Sequence, residues 1–436
     1  MTRLLTIMGS GETAPTMVKA HRAVVERFGP GPVHGILLDT PFGFQVNADD
    51  LSARAVAYFS ESVGAQLEVA GLRSAADLRG SSGDAVLARL AAASFVFAGP
   101  GSPTYALRQW KGTLVPSILA EKLSHGGAVT FASAAALTLG MTTVPVYEIY
   151  KVGEEPRWEE GLDLLSAFGL PVAVIPHFDN AEGGTHDTRF CYLGEERLAL
   201  LERSLPDGSW VLGVDEHTAL FLDFDVGRAS VQGRGVVTVR VAGRSRSLSS
   251  GEELPIEELS AIAADLARAP DAATAAGATA VETRPVGAEA PGAATAPGRS
   301  PLLEAVRAQE ERFRTARRSG DAEGMVGAVL ALESELWSWR ADTLQSDEND
   351  RARAALRAMV GELGEVAREG TRDPADVVGP YVELALAQRE SARHARRFEE
   401  ADAIRDRLVD LGVEVHDGPE GTSWELHAVH SAEGVG

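Results

Sequence analysis

Apolar residues follow two alternating rhythms along the first 270 positions. Short continuous runs at Leu4–Met8, Gly35–Leu38, Phe95–Phe97, Ala128–Phe131 and Val172–Ile175 read as buried strands, because a strand covered on both faces has no polar side. Between them, "LSARAVAYFSESV" (Leu51–Val63), "SGDAVLARLAAA" and "TYALRQWKGTLVPSILAEKLSH" space their apolar positions as helices do. Strand and helix in alternation predict an α/β domain, a parallel sheet with helices on both faces. After Trp210 the rhythm changes. "WVLGVDEHTALFLDF", "RASVQG" and "GVVTVRVAG" are strand-rich with glycine turns and predict an antiparallel set that closes the domain.

The pattern stops between Asp271 and Ser300, where alanine, glycine, proline and threonine dominate and little could enter a core; this reads as a flexible linker. From Pro301 to about Leu411 the spacing is helical throughout, and "GVEVHDGPEGTSWEL" reads as a hairpin. The expected organisation is therefore an α/β domain over 1–268, a linker over 269–300 and a helical domain over 301–436 that ends in a small hairpin.

Composition narrows the function classes. A formal net charge of −22 argues against a chain-wide nucleic-acid or anionic-membrane footprint, though not against a local basic groove. The single cysteine, Cys191, excludes a disulfide framework and any cysteine-rich metal centre. "MTRLLTIMGSGE" is too short in its apolar run for a signal peptide, and no stretch approaches a membrane span, so a cytoplasmic protein without membrane contact is expected.

One stretch carries candidate chemistry. "VTFASAAALTLGM" ends a buried strand in Ser133 and continues as a helix. A serine at a strand-to-helix turn is exposed as a nucleophile, and the first helical amides can hold an oxyanion. The turn departs from the usual pattern: Phe131 and Ala135 occupy the flanking positions where glycine relieves crowding. A serine where a buried strand meets a buried helix is also an ordinary packing residue. A hydroxyl nucleophile needs a base. His177 follows the Val172–Ile175 strand directly, where the loops of a parallel sheet gather, and His186 lies in the glycine-containing loop beyond it. The spacing of these histidines matches no compact metal motif, and no metal or cofactor is expected. Glu148 follows Ser133 by fifteen residues and is the leading acid to orient the imidazole, with Asp179 and Glu182 as competitors. Gly11 and Glu12, in "MGSGETAPTM" after the first strand, are expected at the mouth of the site.

Several of these stretches together resemble the dipeptidase E and cyanophycinase family of serine peptidases, whose fold is like that of the class I glutamine amidotransferases. "FAGPGSPTYAL" is similar to the family's glycine-rich segment that lines the oxyanion site, "TFASAAAL" to its nucleophile segment, and "IPHFDNAEGGTHDTR" to the stretch bearing its histidine. "LGVDEHTAL" and "VQGRGVVTV" resemble a cyanophycinase hairpin. The resemblance covers about 250 residues. It implies a three-layer α/β fold and a Ser133–His177–Glu148 triad. It also implies oxyanion donors at Gly99, Gly101 and Ala134, and a small peptide, isopeptide or aminoacyl substrate. Pro100 stands where the family has a donor-bearing glycine and removes one N–H. Loss of catalysis on a retained fold, leaving a binding module, is the competing expectation.

The end of the chain carries a second resemblance. "ALAQRESARHARRFEEADAIRDRLVDLGVEVHDGPEGTSWEL" resembles the C-terminal region of cysteinyl-tRNA synthetases, which contacts the anticodon end of tRNA. The "HIGH" and "KMSKS" signatures of aminoacylation are absent from the sequence. Arg389, Arg393, Arg396 and Arg397 beside Phe398 could hold phosphates and stack a base. Residues 301–436 nevertheless contain 17 arginines, no lysine and 28 acids, so salt bridges within a helical bundle explain the same arginines. The expected partners are a small peptide or aminoacyl substrate and, through residues 301–436, tRNA; the sequence leaves the oligomeric state open.

Overall fold

A computed structural model describes residues 2–31, 33–181, 186–268, 300–340, 348–370, 374–418 and 421–426. The strands are β1 (Arg3–Met8), β2 (Val33–Leu37), β3 (Ala65–Val69), β4 (Phe95–Ala98), β5 (Gly127–Ala132), β6 (Thr142–Thr143), β7 (Glu159–Glu160), β8 (Val172–Ile175), β9 (Trp210–Val214), β10 (Thr218–Asp223), β11 (Arg228–Gly233), β12 (Val236–Val241), β13 (Arg244–Ser249), β14 (Glu253–Pro255), β15 (Val413–Gly418) and β16 (Gly421–Leu426). The α-helices are α1 (Val18–Glu26), α2 (Ala48–Tyr58), α3 (Gly80–Ala92), α4 (Pro103–Trp110), α5 (Val115–His125), α6 (Ser133–Leu137), α7 (Gly194–Glu202), α8 (Ile256–Arg268), α9 (Pro301–Ser319), α10 (Ala322–Ser338), α11 (Glu348–Gly370), α12 (Pro374–His394) and α13 (Phe398–Asp410).

The α/β class is as expected, but the strands form two sheets in this part of the chain. The larger runs β14-β11-β10-β1-β5-β4-β2-β3; its β1, β5, β4, β2 and β3 are parallel, and β10, β11 and β14 close one side antiparallel. The second runs β13-β12-β9-β8-β6-β7 and contains the expected strand Val172–Ile175. Alternate residues of the central strands serve different cores. Leu4, Met8, Phe95, Phe97, Ala128 and Ala132 share one, and Leu5, Ile7, Val96, Val129 and Phe131 enter another. The latter also takes Val172, Val174, Leu212 and Val214 of the second sheet, so it packs the two sheets against each other. Their continuous apolar runs follow from this two-sided burial.

The register brings several strand ends to one place. Met8 pairs with Ala132 and with Ala219, and Ile175 pairs with Gly213. The carboxyl ends of β1, β5, β8 and β9 and the start of β10 are thereby near neighbours. The turn Asp215–His217 passes from β9 in one sheet to β10 in the other.

The chain divides into two compact units, Met1–Gln309 with Leu330–Arg353, and Glu310–Val329 with Ala354–Gly436. In the second, Val382 of α12 and Leu408 of α13 pack with Val413 and Val415 of the β15–β16 hairpin. Of the expected linker 269–300, residues 269–299 lie outside the described residues, as does the competing acid Glu182.

Candidate functional site

Ser133 stands at the junction of β5 and α6 with φ +49, and His177, two residues beyond β8, has φ +48. L-residues hold this left-handed conformation at a cost of order 1–3 kcal/mol, so the surrounding structure must impose it. At Ser133 the constraint is the sharp reversal from strand to helix. Phe131, which replaces an expected glycine, is fully buried and packs on Trp110 with ring centroids 5.7 Å apart. Its bulk enters the core rather than the turn. Ala135 is also fully buried, and its amide donates to Gly99 O at 3.2 Å, tying the glycine-rich loop to the elbow. At His177 the constraint comes from a second left-handed run, Phe190, Cys191 and Tyr192 (φ +60, +55 and +67). The amide of Cys191 donates to His177 O at 3.0 Å and that of Phe190 to Phe178 O at 2.9 Å.

Ser133 Oγ lies 2.9 Å from His177 Nε2, and His177 Nδ1 lies 2.7 Å from Glu216 Oε1. Asn180 Nδ2 donates to the same carboxylate oxygen at 3.2 Å, and the Glu216 amide donates to Asp179 Oδ1 at 2.7 Å. Serine hydroxyl, imidazole and acid thus form one hydrogen-bonded line. The serine comes from the larger sheet, the histidine from the second, and the acid from the turn that joins them.

The acid is the principal correction to the sequence reading. Glu148 does not reach His177 Nδ1 in this structure; its Oε2 accepts from Thr104 Oγ1 on α4 at 3.0 Å. The fifteen-residue spacing places it beyond α6 and against Thr104 of α4, while the imidazole faces the β9–β10 turn. Asp179, the other described competitor, supports Glu216 from behind. In "LGVDEHTAL" the signal for this residue is an acidic pair, Asp215 and Glu216, at the break between two apolar strands. His186 is exposed and stacks beside Tyr150, its Nε2 3.4 Å from the phenol oxygen.

Electrostatics separates these groups. Burial pushes the Glu216 carboxyl up, but hydrogen bonding and charge from His177, with the Asn180 bond, outweigh it and hold the carboxyl below its ordinary range. Burial raises Asp179 to about 6 and, together with the charge of Asp179, Asp215 to about 7. Burial lowers His217 to about 4. The carboxylate hydrogen-bonded to the imidazole is Glu216, held in its charged form.

The remaining candidates are placed as follows. Gly101 has φ +139, and a Cβ there would fall 2.0 Å from Pro41 O, so only glycine fits. A Cβ at Gly99 would meet Glu12 Oε1 at 3.1 Å, which puts buried Glu12 beside the Gly99–Gly101 loop. Gly11 has φ +64 and lies against the His217 ring. Ala134 is the second residue of α6, where helical geometry leaves amides without intrahelical acceptors.

In the second unit, Arg389 corrects the expected nucleic-acid set. It is 4% exposed, and its guanidinium binds the Asp417 carboxylate at 2.8 and 2.6 Å, fastening the hairpin to α12. Arg393 is half-exposed and lies 3.3 Å from Asp417. Arg396, with φ +59 at the α12–α13 turn, Arg397 and Phe398 are exposed. Among the described residues no helix is long and apolar enough to cross a membrane.

Residues 379–424 match the family model of the cysteinyl-tRNA ligase anticodon binding domain. The cysteine–tRNA ligase of Halorhodospira halophila is 42% identical over 79 residues, 16% of this chain and 17% of that protein. The one from Oleidesulfovibrio alaskensis is 31% identical over 134 residues, 27% of this chain and 26% of that protein. The chain therefore spans only about a quarter or less of these two ligases. Among solved structures, a peptidase from an acI-B1 Actinobacterium aligns over 58% of this chain and 97% of its own, at 20% identity and a TM-score of 0.48. The chain joins an α/β part to a segment matching an anticodon-binding domain.

Proposed function

We propose that the chain is a serine-type hydrolase that cleaves a small amide, isopeptide or aminoacyl bond through Ser133, His177 and Glu216. The observation that carries this reading is the Ser133–His177–Glu216 hydrogen-bonded line, with the serine in a left-handed elbow. Ser133 Oγ attacks the substrate carbonyl while His177 Nε2 takes its proton. The carbonyl carbon becomes tetrahedral, and its oxyanion is held by amides from the set Gly99, Gly101 and Ala134. The bond to the leaving group breaks as His177 returns the proton to it, leaving an acyl ester on Ser133. Water, deprotonated by His177, then adds to the acyl carbon, and the ester bond to Ser133 breaks as His177 returns the proton to Oγ, releasing the acid. Glu216 keeps the Nδ1 proton in place, so that Nε2 presents a lone pair to the hydroxyl, and stabilises the imidazolium that forms.

A fluorophosphonate probe tests this directly: the full-length protein takes one label, and Ser133→Ala takes none. Equal labelling of both proteins, or none in either, removes the reading.

The match to an anticodon-binding domain supports a second component, contact with tRNA at the α12–α13 turn. Arg393, Arg396, Arg397 and Phe398 supply charge and a stacking face there. The substrate would then be an aminoacyl product met on or near tRNA. Release of the amino acid from charged tRNA by wild type but not by Ser133→Ala is the expected result; no release removes this component.

A further inference from the structure

The turn that carries Glu216 is held from outside the α/β part of the sequence. His217, the next residue, is buried and stands at φ +52. Its Nδ1 lies 2.9 Å from Thr16 Oγ1, and Gly11 passes so close that a Cβ there would fall 2.2 Å from the same nitrogen. The ring is also met edge-on by the indole of Trp339, with centroids 5.6 Å apart and planes at 77°. Trp339 is 3% exposed and directly follows α10, in the stretch expected to be a separate helical domain. A second link runs through Arg234. Its amide donates to His217 O at 3.0 Å, and its guanidinium pairs with Glu304 of α9 at 2.6 Å. Arg340, next to Trp339, pairs with Glu61 just beyond α2. All of these residues belong to the first compact unit.

We propose that Trp339 and Glu304 are positioning residues for the candidate site, clamping the Asp215–His217 turn so that Glu216 stays in register with His177. This rests on the hydrolase reading for its kinetic consequence, whereas the clamp itself is a statement about packing. The turn joins strands of two different sheets and holds a strained residue, which the surrounding structure must keep in place. The acid must nevertheless stay within hydrogen-bond reach of Nδ1, and a displacement of about 1 Å in such a constellation costs about a hundredfold in rate. The edge-to-face contact and the Arg234–Glu304 pair hold the turn at adjacent points. Residues 301–309 and 330–340 are then working parts of the α/β unit rather than an attached module.

The test uses full-length Trp339→Ala, Trp339→Phe and Glu304→Gln, with two readouts taken well below each protein's Tm. One is the rate of fluorophosphonate labelling at Ser133; the other is hydrogen exchange in the peptide spanning 211–220. Trp339→Ala should label at least about tenfold more slowly and exchange faster in that peptide, and Trp339→Phe should restore both to within about threefold. Glu304→Gln, at a partly exposed position, should slow labelling about twofold to threefold and keeps the question decidable if Trp339→Ala does not fold. Variants that label and exchange as wild type does would overturn the clamp. A wild type that takes no label, while Trp339→Ala still loosens the 211–220 peptide, would overturn the hydrolase reading and leave the clamp standing.

Discussion

Glu216 Oε1 lies 2.7 Å from His177 Nδ1, and the neighbouring Asn180 Nδ2 donates to the same oxygen at 3.2 Å. One carboxylate oxygen therefore receives both donors, and the imidazole is left with Nε2 toward Ser133. The carboxylate that meets this imidazole comes from a turn between two sheets and not from the loop that follows the serine.

The first prediction separates the two glutamates. Glu216→Gln keeps the shape but loses the charge that stabilises the imidazolium, and hydrolysis or probe labelling should fall by about 10² to 10⁴. Glu148→Gln, which keeps an acceptor for Thr104, should change it by less than about threefold. Labelling rates of the purified variants decide; comparable losses in both would reject the assignment.

A second concerns Gly11. Its φ of +64 and the 2.2 Å approach of a built Cβ to His217 Nδ1 leave no room for a side chain. Gly11→Ala should destabilise the protein by about 1–3 kcal/mol, from backbone strain and displacement of the His217 ring. Chemical denaturation measures this. A variant as stable as wild type would show that the loop yields freely.

A third follows from the buried acids. Burial and the charge of Asp179 raise Asp215 to about 7, whereas an unfolded aspartate loses its proton near 3.8. Between these values the folded state binds more protons, so this group makes stability fall as pH rises. Asp179, at about 6, acts in the same direction. His217 and His21, lowered by burial to about 4, act oppositely: stability falls as pH drops from 6.5 through 4. In Asp215→Asn the histidine terms remain and the Val236 amide keeps an acceptor. The variant should therefore gain on wild type by more than about 1 kcal/mol between pH 4 and pH 8. Paired Tm measurements across that range test it, and a constant difference would contradict it.

A fourth divides the arginines of the second unit. Arg393→Ala combined with Arg396→Ala should weaken tRNA binding by about tenfold at low salt and reduce its salt dependence, because exposed guanidiniums meet phosphates. Arg389→Ala should instead cost about 1–3 kcal/mol of stability, since it leaves Asp417 without its bidentate partner. Gel-shift titration and thermal unfolding distinguish these roles. An Arg389 variant of normal stability with lost tRNA affinity would reverse the assignment.

The strand-end positions of Ser133 and His177 are legible because each signal is local: a buried apolar run, then a polar residue where the strand must end. Phe131 looked like an obstacle to the elbow because the pattern does not say which way a side chain points from a strand; burial against Trp110 answers that. Glu216 was hidden for the opposite reason. "LGVDEHTAL" reads as two strands about a turn, and nothing in that stretch says that the strands enter different sheets. Arg389 shares a helix face with Arg393, four residues on, yet the hairpin beyond α13 folds back and covers one of the two. The linker composition suggested a clean boundary, but Trp339 and Glu304 belong to the same compact unit as the α/β sheets.

The sequence by itself determined the alternation of strands and helices, the positions of Ser133 and His177 at strand ends, and the change to a helical C-terminal region. These follow from the periodicity of burial, which neighbouring residues encode. The tertiary structure alone decided which acid meets the imidazole, which arginine is buried and which distant tryptophan rests on the acid's turn. Those depend on pairings between residues far apart in the chain, and side-chain periodicity carries no record of them.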